Sequence, residues 1–118
     1  MSYIQGFLIA VPNAKKQAYR DMAKSSAPIF QEYGALRVVE AWGDSVPDGK
    51  VTDFKRAVKA NDDETVVFSW IEWPDKKTYE LASKKMESDP RWQEMPEIPF
   101  DGKRMMWAGF DPILDTDD

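Results

Sequence analysis

Four segments of the chain have the hydrophobic pattern of β-strands. The clearest covers residues 65–73, reads TVVFSWIEW and is stopped by Pro74. Similar segments cover residues 3–11, 36–42 and 103–110. Because side chains alternate across a strand, each segment places apolar groups on both faces of a sheet. Antiparallel sheets in small proteins commonly leave one face in water, so this pattern predicts that a further layer covers the second face.

Helical spacing recurs between the strands. The first helix is predicted to begin at Asn13 as N-cap and to stop at Gly34, and Pro28 predicts a kink or a break near Ser25 and Ser26. Its apolar positions are Ala14, Ala18, Met22, Ile29 and Tyr33.

Three shorter helical segments are predicted from capping residues. Asp75 precedes a second main helix, whose inner face carries Tyr79, Ala82 and Met86. Asp53 is the expected cap of one or two helical turns over residues 53–59. Asp89 followed by Pro90 predicts a short helix that reaches Trp92.

The order of elements is β-α-β-β-α-β, which predicts an α+β, ferredoxin-like fold with a four-stranded antiparallel sheet and two helices on one face. Two helices cover one face only, and the chain has no further strands for the other. A second copy of the chain is the simplest cover, through a two-fold contact. We therefore expect a homodimer, with residues 1–112 as a single α+β barrel domain and residues 113–118 as an acidic tail.

The composition narrows the chemistry. The 118 residues include neither histidine nor cysteine, which removes the commonest general base, thiolate nucleophiles and zinc–sulfur sites. We expect no metal and no cofactor. The net charge is −5, with four aspartates among the last eight residues, so the basic surface of a nucleic-acid-binding protein is not expected. No apolar run is long enough to span a membrane and no leader pattern is visible, so we expect a cytoplasmic protein without a membrane partner.

Several longer segments resemble a known family. They read EAWGDSVPDGKVTDF at 40–54, RAVK at 56–59, FSWIEWP at 68–74 and PFDGKRM at 99–105. Together they resemble the YbaA-like family of uncharacterised proteins (domain of unknown function 1428) over nearly the whole chain except the acidic tail. The resemblance implies the dimeric α+β barrel superfamily, which includes cofactor-free monooxygenases, decarboxylases and haem-degrading enzymes. Its enzymes commonly hold a small, often aromatic molecule between the sheet and its helices; haem-handling members often use a histidine, which this chain lacks.

Charged residues among apolar strand neighbours are the first site candidates. They are Arg37 and Glu40 on the second strand, Glu72 on the third and Arg104 on the fourth. In a functional interpretation, Glu40 or Glu72 carries a proton, and Arg37 or Arg104 binds an anionic group or a developing oxyanion. The alternative, which we favour, is that these residues pair with one another, or across the dimer, as structural ion pairs.

Aromatic and basic residues supply further candidates for ligand binding. Trp42 and Trp70 would line an aromatic pocket, although most of the five tryptophans are expected to fill the core or the dimer interface. Residues 43–64 form a long connection for a compact domain. Phe54, Lys55 and Arg56 within it predict either an anion-capturing lid or an arm that packs on the partner subunit, and both alternatives stay open.

Two functions are compatible with these features. The first is a homodimeric protein that binds a small organic or anionic ligand in the cleft between sheet and helices. The alternative is a cofactor-independent enzyme, resembling a monooxygenase, isomerase or decarboxylase, that acts on a small molecule such as an aromatic one. The absence of histidine and cysteine favours binding over catalysis.

Overall fold

The computed structural model describes residues 2–117. Met1 of the predicted domain and Asp118 of the predicted tail lie outside the described residues. The strands are β1 (Tyr3–Pro12), β2 (Arg37–Trp42), β3 (Glu64–Trp73) and β4 (Met106–Phe110). They form an antiparallel sheet in the order β2-β3-β1-β4, in which β1 and β3 pair along their full length. The predicted ferredoxin-like α+β fold is confirmed.

The helices are α1 (Lys16–Glu32), the short α2 (Phe54–Ala57) and α3 (Lys76–Met86). Short 3-10 turns cover Asn13–Lys15 and Pro90–Trp92. Both long helices pack on the same face of the sheet, where Tyr19 of α1 and Ala82 of α3 are buried in the core. None of the helices in the described part of the chain combines the length and the apolar character needed to cross a bilayer.

The strand register defines two faces of the sheet. Odd-numbered residues of β1 and β3 point towards α1 and α3, and we call this side the covered face. Its buried residues are Ile9, Val11, Val67, Ser69, Ile71 and Trp73. Even-numbered residues of the same two strands point to the other side, which we call the open face.

The open face is largely apolar and exposed. Leu8, Phe68 and Met106 are among the residues that line a groove of about 660 Å³ on it, and every lining residue is apolar or glycine. Phe68 is 47% exposed and Phe110 is 57% exposed. One end of the open face is closed by the chain around α2, where Val58 is buried together with Ala10 and Val66.

The predicted aspartate caps are confirmed. The Asp53 side chain accepts a hydrogen bond from the Arg56 backbone N–H, and the Asp75 side chain accepts one from that of Thr78. Asp89 caps the turn Pro90–Trp92 in the same way, through the Arg91 backbone N–H. Short polar side chains before a helix satisfy backbone donors that lack a partner within the helix.

The structure corrects three local predictions, in whole or in part. Asn13 does not cap α1, because its side-chain oxygen accepts a hydrogen bond from the Thr65 hydroxyl while a 3-10 turn leads into the helix. Of the kink or break predicted near Ser25 and Ser26, the break does not occur, since α1 runs without interruption from Lys16 to Glu32 through Pro28. The last strand begins at Met106 rather than at residue 103, because a turn bonded to Asp101 occupies the preceding positions.

The inner face of α1 also differs from the prediction in its first half. Tyr19 and Ala23 are buried, whereas Ala14 and Ala18 are exposed. The helix is therefore rotated by about one residue, or roughly 100°, from the predicted orientation. The rotation brings a tyrosine to the sheet at a position where alanine was expected.

Candidate functional site

A cleft of about 480 Å³ lies between the first half of α1 and the β2 edge of the covered face. On α1, residues three and four apart share a side of the helix, so Lys16, Tyr19 and Arg20 line the cleft together. On β2, Glu40 and Trp42 point towards the helices because alternate residues of a strand share a face. The cleft thus combines an aromatic ring, two cations and a carboxylate.

The cleft contains a hydrogen-bonded pair. The Tyr19 hydroxyl donates to Glu40 Oε1 at 2.6 Å, and Tyr19 is only 4% exposed. Burial raises the pKa of Tyr19, and the charge of the Glu40 carboxylate adds to the shift. Burial also raises the pKa of Glu40 above its ordinary 4.5, although hydrogen bonds from Tyr19 and Ser69 partly oppose this. Although Glu40 is exposed as a whole residue at the sheet edge, its carboxylate lies against the buried tyrosine.

Glu40 differs from the other strand glutamates in its charge partners. Within residues 2–117, it forms no salt bridge with lysine or arginine. Glu72, on the open face, lies 3.8 Å from Arg37 Nε, and Glu64 lies 2.7 Å from Arg104 Nη1. Glu40 is therefore free to interact with a group that enters the cleft.

The cations of the cleft have no anionic partner in the described part of the chain. Lys16 Nζ lies 5.1 Å from the centre of the Trp42 ring, which is the geometry of a cation–π contact. No hydrogen bond or salt bridge joins the side chain of Lys16 or Arg20 to another residue between 2 and 117. With one carboxylate against two cations, the lining is positive in a chain whose net charge is −5.

Three predicted site residues lie on the opposite side of the sheet from the cleft. Arg37, Trp70 and Glu72 belong to the open face, where Arg37 is the cross-strand partner of Glu72. Phe54 is also on that side, with its ring 6.2 Å from the ring of Phe68. These residues are therefore not brought together with Glu40 and Trp42.

The remaining basic candidates are engaged within the chain. Lys55 pairs with Asp48 at 3.2 Å. Arg56 pairs with Asp53 at 3.4 Å, and its guanidinium donates to the backbone carbonyls of Gly49 and Lys50. The basic side chains of Lys55 and Arg56 therefore stabilise the turn formed by residues 48–53.

Arg104 connects three parts of the chain. It pairs with Glu64 at the start of β3 and with Asp101 at 3.0 Å, and it donates to the Lys59 carbonyl at 2.9 Å. The pKa of Glu64 is lowered chiefly by its hydrogen bonds with Arg104. Arg104 therefore forms structural ion pairs, but with Glu64 and Asp101 rather than with one of the other charged candidates on the strands.

Sequence reasoning missed Tyr19, Lys16 and Arg20. Their signal is the helical spacing of positions 16, 19, 20 and 23, which is as regular as the spacing of the series that begins with Ala14 and Ala18. Small alanines satisfy an apolar pattern without requiring burial, whereas a tyrosine gains more from it. If the burial of Tyr19 is given more weight than that of the alanines, the sequence predicts the side of α1 that faces the sheet correctly.

The cleft does not have the composition of a metal site. Glu40 is its single carboxylate, whereas hard cations prefer several oxygen ligands. Across residues 2–117, no group of three or more carboxylates is placed to hold a metal ion.

Comparison with known proteins identifies relatives of the whole chain. The model of the family described as "Protein of unknown function (DUF1428)" matches residues 2–102. Uncharacterized protein YbaA of Escherichia coli strain K12 is 59% identical over 116 residues, which cover 98% of this chain and 99% of that protein. The YbaA protein of Shigella flexneri matches with the same identity and coverage.

A solved structure supports the fold. A dimeric ferredoxin-like protein from an uncultured marine organism aligns with a TM-score of 0.52 over 93% of this chain and 92% of that one. At 11% identity, this likeness concerns the fold alone. The family model and the YbaA relatives together show that the chain belongs to the DUF1428 family.

Proposed function

We propose that this protein is a homodimer that binds a small organic ligand in the cleft between α1 and β2. The observation that carries ligand binding is the Glu40 carboxylate, which is held by Tyr19 at 2.6 Å but forms no salt bridge within residues 2–117. If the cleft served stability alone, Glu40 would be expected to pair with Lys16 or Arg20, which line the same space. A few polar groups that converge in a concave site of several hundred Å³ are typical of small-molecule binding.

The open face supports the homodimer. Phe68, Met106 and Phe110 are all about half exposed, and they lie around a groove without polar lining. Contiguous apolar surfaces of this kind usually mark an interaction site. The structurally similar marine protein is described as dimeric, which is consistent with a second copy as the partner.

We assign residues 43–64 to the dimer rather than to a lid over the cleft. Phe54 packs against Phe68, and Val58 is buried against Ala10 and Val66. These contacts are on the open-face side, whereas the cleft is on the covered face. Val51 is 91% exposed in the same segment and is available to contact a partner subunit.

The raised pKa of Glu40 favours a second candidate, a cofactor-independent enzyme in which Glu40 accepts and returns a proton. A carboxyl group whose pKa is raised exchanges protons more effectively near neutral pH. Lys16 and Arg20 would stabilise developing negative charge, because they line the same cleft. Arg37 and Arg104 have no part in this mechanism, because they form salt bridges with Glu72 and Glu64.

Ligand binding is tested by identifying what the protein carries from its own host. Wild type and two variants, Trp42→Ala and Trp107→Ala, are purified without denaturation, and small molecules released by denaturation are analysed by mass spectrometry. Both variants lose an indole, but Trp42 is on β2 and Trp107 is on β4, at opposite edges of the sheet. We expect a compound that wild type and Trp107→Ala release and Trp42→Ala does not. Equal yields from all three proteins would contradict a site in the cleft, and so would the absence of any compound from a protein that also binds no added small molecule.

The enzyme candidate has a separate test. The released compound is incubated with wild type and with Glu40→Gln, and its conversion is followed together with its binding. Turnover by wild type, with binding but no turnover by Glu40→Gln, supports proton transfer at Glu40. Binding without turnover by either protein supports a binding protein.

A further inference from the structure

We infer that the ligand of the cleft is an aromatic acid, with its carboxylate at Lys16 and Arg20 and its ring against Trp42. This inference rests on the proposed function, because it requires the cleft to bind a small molecule. It names the chemical class of that molecule from the charges and the ring that line the site.

The charge of the lining selects for an anion. Lys16 and Arg20 lie one turn apart on the same side of α1, and neither side chain is bonded to another residue between 2 and 117. The opposing carboxylate, Glu40, is already bonded to Tyr19. A carboxylate at the mouth would satisfy both cations, whereas a cationic ligand would meet two like charges.

The position of Lys16 shows that the face of Trp42 is accessible from the cleft. Its ammonium group lies 5.1 Å from the ring centre, where apolar packing would otherwise cover the indole. A planar ring that enters the cleft can replace this contact with an offset stack on Trp42. The displaced ammonium group would then move to the carboxylate that the same ligand carries.

The end of the ligand opposite its carboxylate contacts Glu40. A hydroxyl or amine on the ring would donate a hydrogen bond to the Glu40 carboxylate, which the Tyr19 hydroxyl holds in place. A hydrogen bond to a carboxylate is stronger than one between neutral groups. The preferred class is therefore an aromatic acid with a hydroxyl or amine opposite its carboxylate.

Three small molecules test the carboxylate and the aromatic ring of the inferred ligand separately. Isothermal titration calorimetry compares 4-hydroxybenzoate with 4-methylphenol, which lacks the carboxylate, and with trans-4-hydroxycyclohexanecarboxylate, which keeps the carboxylate and the hydroxyl but lacks the aromatic ring. We expect 4-hydroxybenzoate to bind about tenfold more tightly than either, since each comparison removes one favourable contact. Equal affinity for 4-hydroxybenzoate and 4-methylphenol would overturn the assignment of an anion.

Charge variants locate the anion. Lys16→Gln and Arg20→Gln are each expected to weaken 4-hydroxybenzoate binding by up to about fivefold, as suits partly exposed charge pairs, whereas neither should weaken the binding of 4-methylphenol. Lys24→Gln is the matched control, because Lys24 is an exposed residue of α1 that does not line the cleft. An equal effect of all three variants would indicate general electrostatic attraction and would contradict the assigned position.

Failure of the inference can be told from failure of the proposed function. If a Trp42-dependent compound is released from the native protein but is neutral or cationic, the cleft binds a ligand and the aromatic acid is wrong. If none of the three probes binds and no Trp42-dependent compound is found, both proposals fail.

Discussion

The covered face and the open face of the sheet are both apolar, but they use their carboxylates differently. On the covered face, Glu40 is bonded to the buried Tyr19 and has no salt bridge within residues 2–117. On the open face, Glu72 lies 3.8 Å from Arg37, whose side chain is 63% exposed. The charged pair of the open face is thus at its margin, while the glutamate of the covered face lines a cleft.

This difference separates two kinds of binding surface. A broad apolar face with charges at its margin has the anatomy of a protein interface. A cleft with converging polar groups has the anatomy of a small-molecule site. Apolar alternation thus locates a sheet, whereas the partners of its few polar residues indicate what each face binds.

The largest expected effect is loss of the dimer in Phe68→Asp. Phe68 is 47% exposed in the monomer, so the substitution should cost the monomer little. A dimer would bury the new carboxylate without a partner, which costs about 3 kcal/mol or more and weakens association by a factor of about 100 or more. Sedimentation velocity over a range of concentrations measures the change.

Leu81→Asp is the matched control for this prediction. Leu81 is 50% exposed on α3, away from the open face. It should remain as dimeric as wild type. Equal sedimentation of both variants and wild type would show that the open face is not the interface.

The next effect concerns the covered face. Tyr19→Phe removes the donor to Glu40 and should lower the free energy of unfolding by about 1 kcal/mol, a modest loss because Glu40 retains contact with water. Urea denaturation measures it. Tyr3→Phe is the control, since the Tyr3 hydroxyl makes no side-chain hydrogen bond within the described residues. If Tyr3→Phe lowered the free energy of unfolding as much as Tyr19→Phe does, the hydrogen bond between Tyr19 and Glu40 would have no special role in stability.

A smaller effect appears in the pH dependence of Glu40→Gln. Burial raises the pKa of Glu40, so the folded state binds its proton more tightly than the unfolded state does. As pH rises from about 4.5 through the folded pKa, wild type should lose stability that the uncharged glutamine does not lose. Unfolding free energies between pH 4 and 8 (roughly the range where proteins are most stable) should therefore increasingly favour the variant as pH rises.

Glu64→Gln should show the opposite dependence on pH. Hydrogen bonds from Arg104 lower the pKa of Glu64, so this carboxylate stabilises the fold above its ordinary pKa of 4.5. That contribution disappears as pH falls through the lowered pKa of the folded state. The deficit of Glu64→Gln should thus be largest near neutral pH and smallest in acid. Slopes of the same sign for both glutamates would refute the difference in their environments.

The smallest effect is expected for Arg37→Met. Its salt bridge with Glu72 is long and exposed, so its loss should change the free energy of unfolding by less than about 0.5 kcal/mol. The measurement belongs in the Phe68→Asp background, where a contribution from the dimer is absent. A loss as large as that of Tyr19→Phe would mean that the open-face pair is structurally as important as the covered-face pair.

Local rules predicted most of the fold. The order of strands and helices follows from apolar spacing and from the aspartate caps Asp53, Asp75 and Asp89, because a cap needs only the three residues that follow it. Apolar spacing does not set the extent of β4, because Asp101 binds the backbone of the following residues in a turn.

Less of the candidate site could be predicted. Glu40 and Trp42 stood out as strand residues that line a face, and both lie in the cleft. Tyr19 did not, because its contact with Glu40 joins residues 21 apart and depends on the rotation of α1 about its axis. A change of one residue in that rotation moves every side chain of the helix by about 100°. The packing of α1 on the sheet decides this rotation. The apolar pattern alone is compatible both with burial of Ala14 and Ala18 and with burial of Tyr19 and Ala23.

Native mass spectrometry of wild type and Phe68→Asp, each purified without denaturation from the host, examines both faces of the sheet in one experiment, because it reports the number of chains and any bound small molecule together. We expect a wild-type dimer that carries an additional small mass and a Phe68→Asp monomer that retains the same additional mass per chain. A wild-type monomer would contradict the role of the open face. A dimer without additional mass that also fails to bind 4-hydroxybenzoate would contradict the role of the cleft.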